Sequence, residues 1–442
     1  MKAGQFGNNE ALSRLPEGLR TTMNFERGNL YLPEKYRDSR LTETFDTRYL
    51  PENCAAFELP CFWIRRSEFY VYGGLSLASG GLDFVGGNDP QRQALFPVHP
   101  AECDHYCQFL AKMDAQNAAE SGLRVWAVPT SSTRTVLAWP EHAPDEAIFV
   151  KLSLHSRLFG DRRITRRTAA VSVGLSMLLE NSRPTLPDQL GYLFEHVSFV
   201  PRGMTDSGVV VRAIPDEVRC GDVVLAPFFA LMGGDGSGKP LMLTIAENGR
   251  IGVMEFVEEV LCKQFAKLWV EMATTHGLLL EAHGQDLLLG LSNVCTATGK
   301  FYYRDFEGLT VDWELRRARN LTQPANLPNS CLWYETYGTW GYPHFQSVWC
   351  KVRTSLFDYI HLFLVPLEGK LRDWHAGGLL NGEVIAHGAV TMMFSRHLRR
   401  EIEERFSVRE GADYDISPAL NRFVKFLMKV RKIVLEGISS AR

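Results

Sequence analysis

The chain has 442 residues, 45% hydrophobic and 22% charged, a balance that permits a large buried core and argues against disorder. Its 48 basic and 51 acidic residues leave a formal net charge of −3, so no global field draws it toward nucleic acid or an anionic membrane, and a basic site must be local. The nine cysteines include no CxxC pair and read as reduced thiols of a cytosolic protein; no signal peptide is visible, and the longest apolar stretch, Val223 to Met232, is half of the about 20 residues a membrane helix needs.

Residues 1–95 mix polar turns with short strand-like pieces such as Phe69-Tyr-Val-Tyr-Gly73, punctuated by the glycines between Gly80 and Gly87. Around 100–120 the three- and four-residue spacing of Tyr106, Phe109, Leu110 and Met113 predicts a helix. Arg124–Val128 and Thr135–Trp139 then read as strands flanking the polar loop Pro129-Thr-Ser-Ser-Thr-Arg134. Ala147–Leu154 follows as a third strand, which together suggests an antiparallel sheet. From Val253 to His276 the apolar positions Val257, Val260, Leu261, Phe265, Leu268, Trp269 and Met272 predict a long helix, stopped by Gly277. Leu278–Leu289 reads as strand, loop and strand, and Phe301–Phe306 as a strand end with charges at its tip. The tail from Trp333 to Arg442 is helical in pattern, as in Leu420–Val434. Strands and helices in blocks, without strict alternation, give an α+β class.

Two segments invite over-reading. Gly233-Gly-Asp-Gly-Ser-Gly-Lys239 has the spacing of a phosphate loop, but Pro240 stands where the Mg²⁺-binding hydroxyl belongs, and Pro240–Ile245 reads as extended rather than as the helix start such a loop requires. His99, Cys103, His105 and Cys107 are closely spaced, yet no second cluster completes a four-ligand zinc site.

Three stretches carry polar groups that core packing does not need. Pro129–Thr135 sets several hydroxyls and Arg134 between two strands, an arrangement that serves as a phosphate cradle or as an ordinary polar hairpin. Glu281-Ala-His-Gly-Gln285 places Glu281, His283 and Gln285 at alternate positions, hence on one face of an extended chain. Arg304-Asp-Phe-Glu-Gly308 sets Asp305 at the end of an apolar strand, which suits a Mg²⁺ ligand or a salt-bridged turn. Together these suggest nucleotide-dependent chemistry without naming the reaction.

In order along the chain, Pro97-Val-His-Pro100, Pro129–Thr135, Lys151-Leu-Ser-Leu154 with Arg163, Glu281–Gln285 and Arg304-Asp305 resemble the siderophore synthetases that work without a nonribosomal peptide template. The resemblance implies a cupped-hand fold with a thumb-like region (1–95), a fingers-like ATP-binding region (96–250) and a palm-like, largely helical region (251–442), with antiparallel sheets. It implies adenylation of a carboxylic acid, citrate-like or another polycarboxylate, and its condensation with an amine or alcohol, with release of AMP and pyrophosphate. The cofactors would be ATP and Mg²⁺, and the setting a cytoplasmic homodimer bound to neither nucleic acid nor membrane. Carried over by position, His99, Ser131, Ser132, Arg134, Thr135 and Lys151 would contact ATP. Arg163, His283 and Gln285 would hold the acid, and Glu281 and Asp305 the metal. Arg134, Lys151, Arg163 and His283 would be the catalytic groups.

This sequence departs from the family pattern at Phe96 (usually His), Cys103 (usually Lys), Phe159 (usually Thr) and Asp286 (usually Asn), and it is shorter than typical members. Phe159 and Asp286 would alter the choice of acid. Two other readings stand beside the synthetase. One is a kinase-like phosphotransferase using Asp305-Phe-Glu-Gly308 and Asp286. The other is a non-catalytic homologue that binds a metabolite or a partner.

Overall fold

The computed structural model describes residues 10–26, 49–51, 56–73, 84, 93–155, 164–234, 238–321, 355–382, 384–410 and 413–440. Arg157, Phe159, Arg162, Arg163, the 235–237 part of the glycine-rich loop and the start of the helical tail before 355 lie outside them. The chain forms two compact units. Unit 1 comprises Met1–Glu180, Leu193–Ala226 and Asp235–Gly238; unit 2 comprises Asn181–Tyr192, Pro227–Gly234 and Lys239–Arg442.

Unit 1 is built on a seven-stranded antiparallel sheet, in the order Phe57–Glu58, Val125–Pro129, Thr135–Pro140, Ile148–Leu152, Val209–Arg212, Glu195–Pro201, Phe69–Gly73. Its central strands are buried residue after residue, because both faces are covered. The two-residue period sorts the side chains. Phe199, Val209 and Val211 face a core with Phe69, Phe96, Tyr106 and Phe109, while Val200 and Val210 face Ala169 of the helix Arg166–Ser182. Phe96, the first departure from the family motif, is therefore a core residue, with its ring 5.6 Å from both Phe69 and Tyr106. A second sheet, Gln93–Pro97, Cys61–Arg65 and Gln116–Asn117, carries the chain into His99 and the predicted helix, which spans Cys103–Lys112.

In unit 2 the helix predicted over 253–276 is present and runs to Thr274, with Gly277 following at φ +62°, but its middle, Val257–Gln264, is a π-helix. A second π-helix, Asp358–Leu364, packs against the run, with Tyr359 4.4 Å from Phe265 and its hydroxyl donating to the Leu261 carbonyl at 2.6 Å. Helices Val365–Ala376, Ala389–Phe406 and Ile416–Ser440 complete the helical C-terminal region. The short antiparallel pair Leu278–Leu279 and Thr310–Val311 flanks the polar stretches. Leu287–Ser292 pairs antiparallel with Ala297–Tyr303, which pairs in parallel with Leu190–Tyr192. The α+β class with antiparallel sheets and a helical C-terminal region is what the chain adopts.

One expectation fails. Leu241–Asn248 is a helix, with Pro240 as its N-cap residue at φ −56° and ψ 130°. A short, nearly continuous apolar run has no readable period, and here Leu241, Met242, Leu243, Ile245 and Ala246 are all buried. The objection to a phosphate loop that remains is chemical. Pro240 offers neither hydroxyl nor N–H, and Lys239 forms an ion pair with Glu247.

Candidate functional site

The hydroxyl-rich loop of unit 1 joins two strands in continuous register from Val125↔Pro140 to Pro129↔Val136. It closes on itself: Thr130 N–H donates to the Thr135 carbonyl at 2.8 Å, Ser132 N–H to Thr130 Oγ1 at 3.3 Å, and Thr135 N–H to Ser132 Oγ at 3.1 Å. The Thr130 and Ser132 hydroxyl oxygens thus accept the loop's own amides, and the two hydroxyls also bond each other at 3.4 Å, so one of the two protons is used inside the loop. Thr133 sits at φ +63°, a left-handed conformation uncommon outside glycine and a mark of a loop held in place by its surroundings.

Arg134 and Lys151 are buried at 8% and 2% exposure. Leu152 N–H donates to the Arg134 carbonyl at 2.9 Å, and Lys151 lies opposite Thr135 across the strand pair. The structure therefore brings Ser131, Ser132, Arg134, Thr135 and Lys151 together at one end of one hairpin and its neighbour. It also adds a residue the sequence reading missed. Glu26, at the end of the helix Glu17–Glu26, is 1% exposed and accepts the Ser131 N–H at 3.1 Å. Nothing local in the sequence signals this contact, which spans 105 positions.

His99 is 1% exposed, and its ring packs edge-on against Tyr49 at 5.2 Å and Phe57 at 5.9 Å; Phe57 pairs with Ala127 of the hairpin. Burial lowers its pKa from 6.5 to about 4, so the ring is neutral at pH 7. Its Nδ1 accepts the Ala101 N–H at 3.2 Å, which puts the ring proton on Nε2.

In unit 2, burial alternates along Leu280–Gly284 as the period of an extended chain requires. Leu280, Ala282 and Gly284 are buried, and Glu281, His283 and Gln285 are half-buried on the other face. His283 Nδ1 accepts the Gln285 N–H at 3.3 Å and lies 3.6 Å from Asp286 Oδ2. Phe229 fixes the ring from the side at 5.3 Å, edge-on, and donates its N–H to the Gly284 carbonyl at 3.1 Å. Arg304, 3% exposed, donates to the Gln285 carbonyl at 3.2 and 2.8 Å and lies 4.0 Å from Asp286 Oδ1.

Asp305 occupies the left-handed region at φ +68°, ψ 69°, and its carbonyl accepts the Gly308 N–H at 3.1 Å and the Tyr303 hydroxyl at 3.5 Å. Burial first, then the carboxylates of Glu281, Asp286 and Asp305, hold the Tyr303 hydroxyl well above the usual phenol range. Three carboxylates from two segments thus act on one buried oxygen. Glu281 and Asp305 are half-buried and offer hard oxygen donors of the kind Mg²⁺ takes. Among the described residues no group of three or more His, Cys, Asp or Glu is arranged to hold a metal by itself. Arg163 lies outside the described residues, so of the three residues expected to hold an acid the structure places His283 and Gln285.

No protein-family model matches the sequence, and no curated protein matches it. Solved structures do. ATP-bound aerobactin synthetase IucA from a hypervirulent pathotype of Klebsiella pneumoniae superposes with a TM-score of 0.50 at 18% identity, over 76% of this chain and 65% of that one. Aerobactin synthetase IucC from the same source gives 0.58 at 15% identity, over 83% and 66%. Petrobactin biosynthesis protein AsbB from Bacillus anthracis gives 0.60 at 17% identity, over 84% and 63%. At this identity the likeness establishes the fold, and the chain carries a divergent form of the siderophore synthetase fold. The matched chains are longer, so this chain spans about two thirds of their length. Among the described residues no helix is long and apolar enough to cross a membrane.

Proposed function

We propose that the chain is an ATP-dependent synthetase that adenylates a carboxylic acid, citrate-like or another polycarboxylate, and joins it to an amine or alcohol in siderophore or related small-metabolite biosynthesis. The observation that carries the reading is the hairpin of unit 1. Buried Arg134, at the end of the hydroxyl-rich loop, and buried Lys151, on the neighbouring strand opposite Thr135, set two basic side chains beside a loop whose fold is held by its own amides and hydroxyls. The solved structure with ATP bound that shares this fold supports the same assignment.

In this reading Arg134 and Lys151 neutralise the phosphate charge that concentrates as a carboxylate oxygen attacks the α-phosphorus and pyrophosphate departs. Ser131, Ser132 and Thr135 orient the phosphates, and neutral His99 donates through Nε2. In unit 2, His283 and Gln285 hold the acid, with Arg163 assigned the same task. Glu281 and Asp305 would hold Mg²⁺, which supplies charge neutralisation on phosphate oxygens. Asp286, hydrogen-bonded through its N–H to the His283 carbonyl at 2.9 Å, adds a negative charge beside the acid-holding residues and so favours an acid that carries a cationic group. The thumb, fingers and palm regions, the homodimer and the cytoplasmic setting belong to the same proposal.

The test is to incubate the protein with Mg²⁺, ATP and a panel of di- and tricarboxylic acids with amines and alcohols, and to identify the nucleotide formed. AMP and pyrophosphate that depend on one acid and disappear in Arg134→Ala and Asp305→Asn support the reading. ADP in their place would sink it and favour the kinase-like alternative. ATP binding without turnover on any acid would favour a binding protein.

A further inference from the structure

Glu281 is held by a residue remote in sequence. Ser355, 6% exposed, is the first described residue of the helical run that continues through Ala376. Its hydroxyl donates to the Leu280 carbonyl and accepts the Ala282 N–H at 3.3 Å. Trp269, fully buried, donates its indole N–H to the same hydroxyl oxygen and to the Leu280 carbonyl, both at 3.3 Å. The Leu280 carbonyl and the Ala282 amide belong to the two peptide groups on either side of the Glu281 Cα. The serine hydroxyl uses its one donor and both acceptor sites, so the arrangement is fully satisfied.

We infer that Ser355 and Trp269 are positioning residues that fix both peptide planes of Glu281 and thereby aim its carboxylate at a divalent cation. The strand Leu278–Leu279 pairs with Thr310–Val311 and stops short of this point, so sheet hydrogen bonds do not hold residues 280–282. The bracket takes their place. Its three parts come from the helix Phe265–Thr274, the polar stretch and the helical tail, so the carboxylate is referred to the unit 2 core rather than to a loop. Ser355 touches neither ion nor nucleotide and acts through Glu281. The inference rests on the Mg²⁺ role proposed for Glu281.

Calorimetric ATP binding, titrated against Mg²⁺, tests both layers separately. In Ser355→Ala the Mg²⁺ concentration for half-maximal ATP binding rises about tenfold, the scale on which outer partners of metal ligands act. In Glu281→Gln it rises further, and adding Ser355→Ala to Glu281→Gln changes nothing more. Trp269→Phe, which keeps the ring and removes only its N–H, shifts the same midpoint in the same direction by less and guards against a fold-wide effect of the serine change. Full additivity of Ser355→Ala with Glu281→Gln, or an unshifted midpoint in both bracket variants while the wild type responds to Mg²⁺, overturns the inference and leaves the synthetase reading intact. A wild type whose ATP binding ignores Mg²⁺ overturns both.

Discussion

A Cβ built on Gly308 would fall 1.8 Å from Glu281 Oε2, so the carboxylate occupies the space that any side chain at residue 308 would need. Gly308→Ala must therefore expel Glu281 or distort the Asp305–Gly308 turn, at a cost of about 1–3 kcal/mol of stability. Urea unfolding and Mg²⁺-dependent ATP binding should both suffer. Adding Glu281→Ala should restore stability but not the Mg²⁺ response. Wild-type behaviour of Gly308→Ala on both measures would mean that the carboxylate does not lie there.

Glu26 supplies the acceptor for a buried amide of the hydroxyl loop. Its removal in Glu26→Ala leaves that donor unmet, worth about 1–3 kcal/mol, and should weaken ATP binding by roughly tenfold. Glu26→Gln keeps an acceptor oxygen and should lose less. Calorimetry on the two variants would decide. Equal losses would assign the effect to the charge of Glu26 and not to its hydrogen bond.

Burial lowers the pKa of both His99 and His196 from 6.5 to about 4. The unfolded chain therefore takes up these protons first as the solution is acidified. Their contribution to stability is complete above pH 6.5, falls as the pH drops from 6.5 toward 4, and levels off below. Each shift corresponds to about 3 kcal/mol at its limit. Urea midpoints between pH 7.5 and 4 should show the decline, and His196→Gln should flatten it. An unchanged slope in that variant would remove His196 as a cause.

Arg212 donates through both Nε, at 3.1 Å, and Nη2, at 2.5 Å, to one oxygen, Oε1, of Glu195 inside the seven-stranded sheet, at 2% and 0% exposure. Arg212→Met alone strands a buried carboxylate and should cost about 3–5 kcal/mol, whereas the double change Arg212→Met with Glu195→Leu should recover most of that. Chemical denaturation of the wild type and the two variants checks the sign. A double variant no better than the single would show that the pair contributes more than mutual neutralisation.

Much of this architecture is legible in the sequence because it is periodic. The hairpin around Thr130–Arg134, the strand bearing Lys151 and the alternation of Glu281, His283 and Gln285 follow from two-residue spacing, and the helix after Val253 from three- and four-residue spacing. The π-helices are not legible, since apolar positions at Val257, Val260 and Leu261 suit either winding, and only the extra burial of Cys262 shows the widened stripe. The Leu241–Asn248 helix is hidden by its uniform apolarity. Glu26 and Ser355 are hidden for another reason. Their partners lie 105 and 73 to 86 positions away, and no local pattern encodes a hydrogen bond of that span.

The chain passes between its two units after residues 180, 192, 226, 234 and 238, and this bears on how it can be made. A nascent chain that has reached residue 180 lacks Glu195–Pro201 and Val209–Arg212, so Phe69–Gly73 waits as an orphan edge until its partner Glu195–Pro201 is translated. Leu190–Tyr192 waits longer, since its parallel partner Ala297–Tyr303 emerges about a hundred residues later. Nascent chains halted near residue 180 should therefore remain sensitive to protease, and protection should arrive in two steps, one after about residue 212 and one only after the helices that bring Tyr359 and Phe394 onto Phe265 have followed. No single cut in the sequence yields either unit whole.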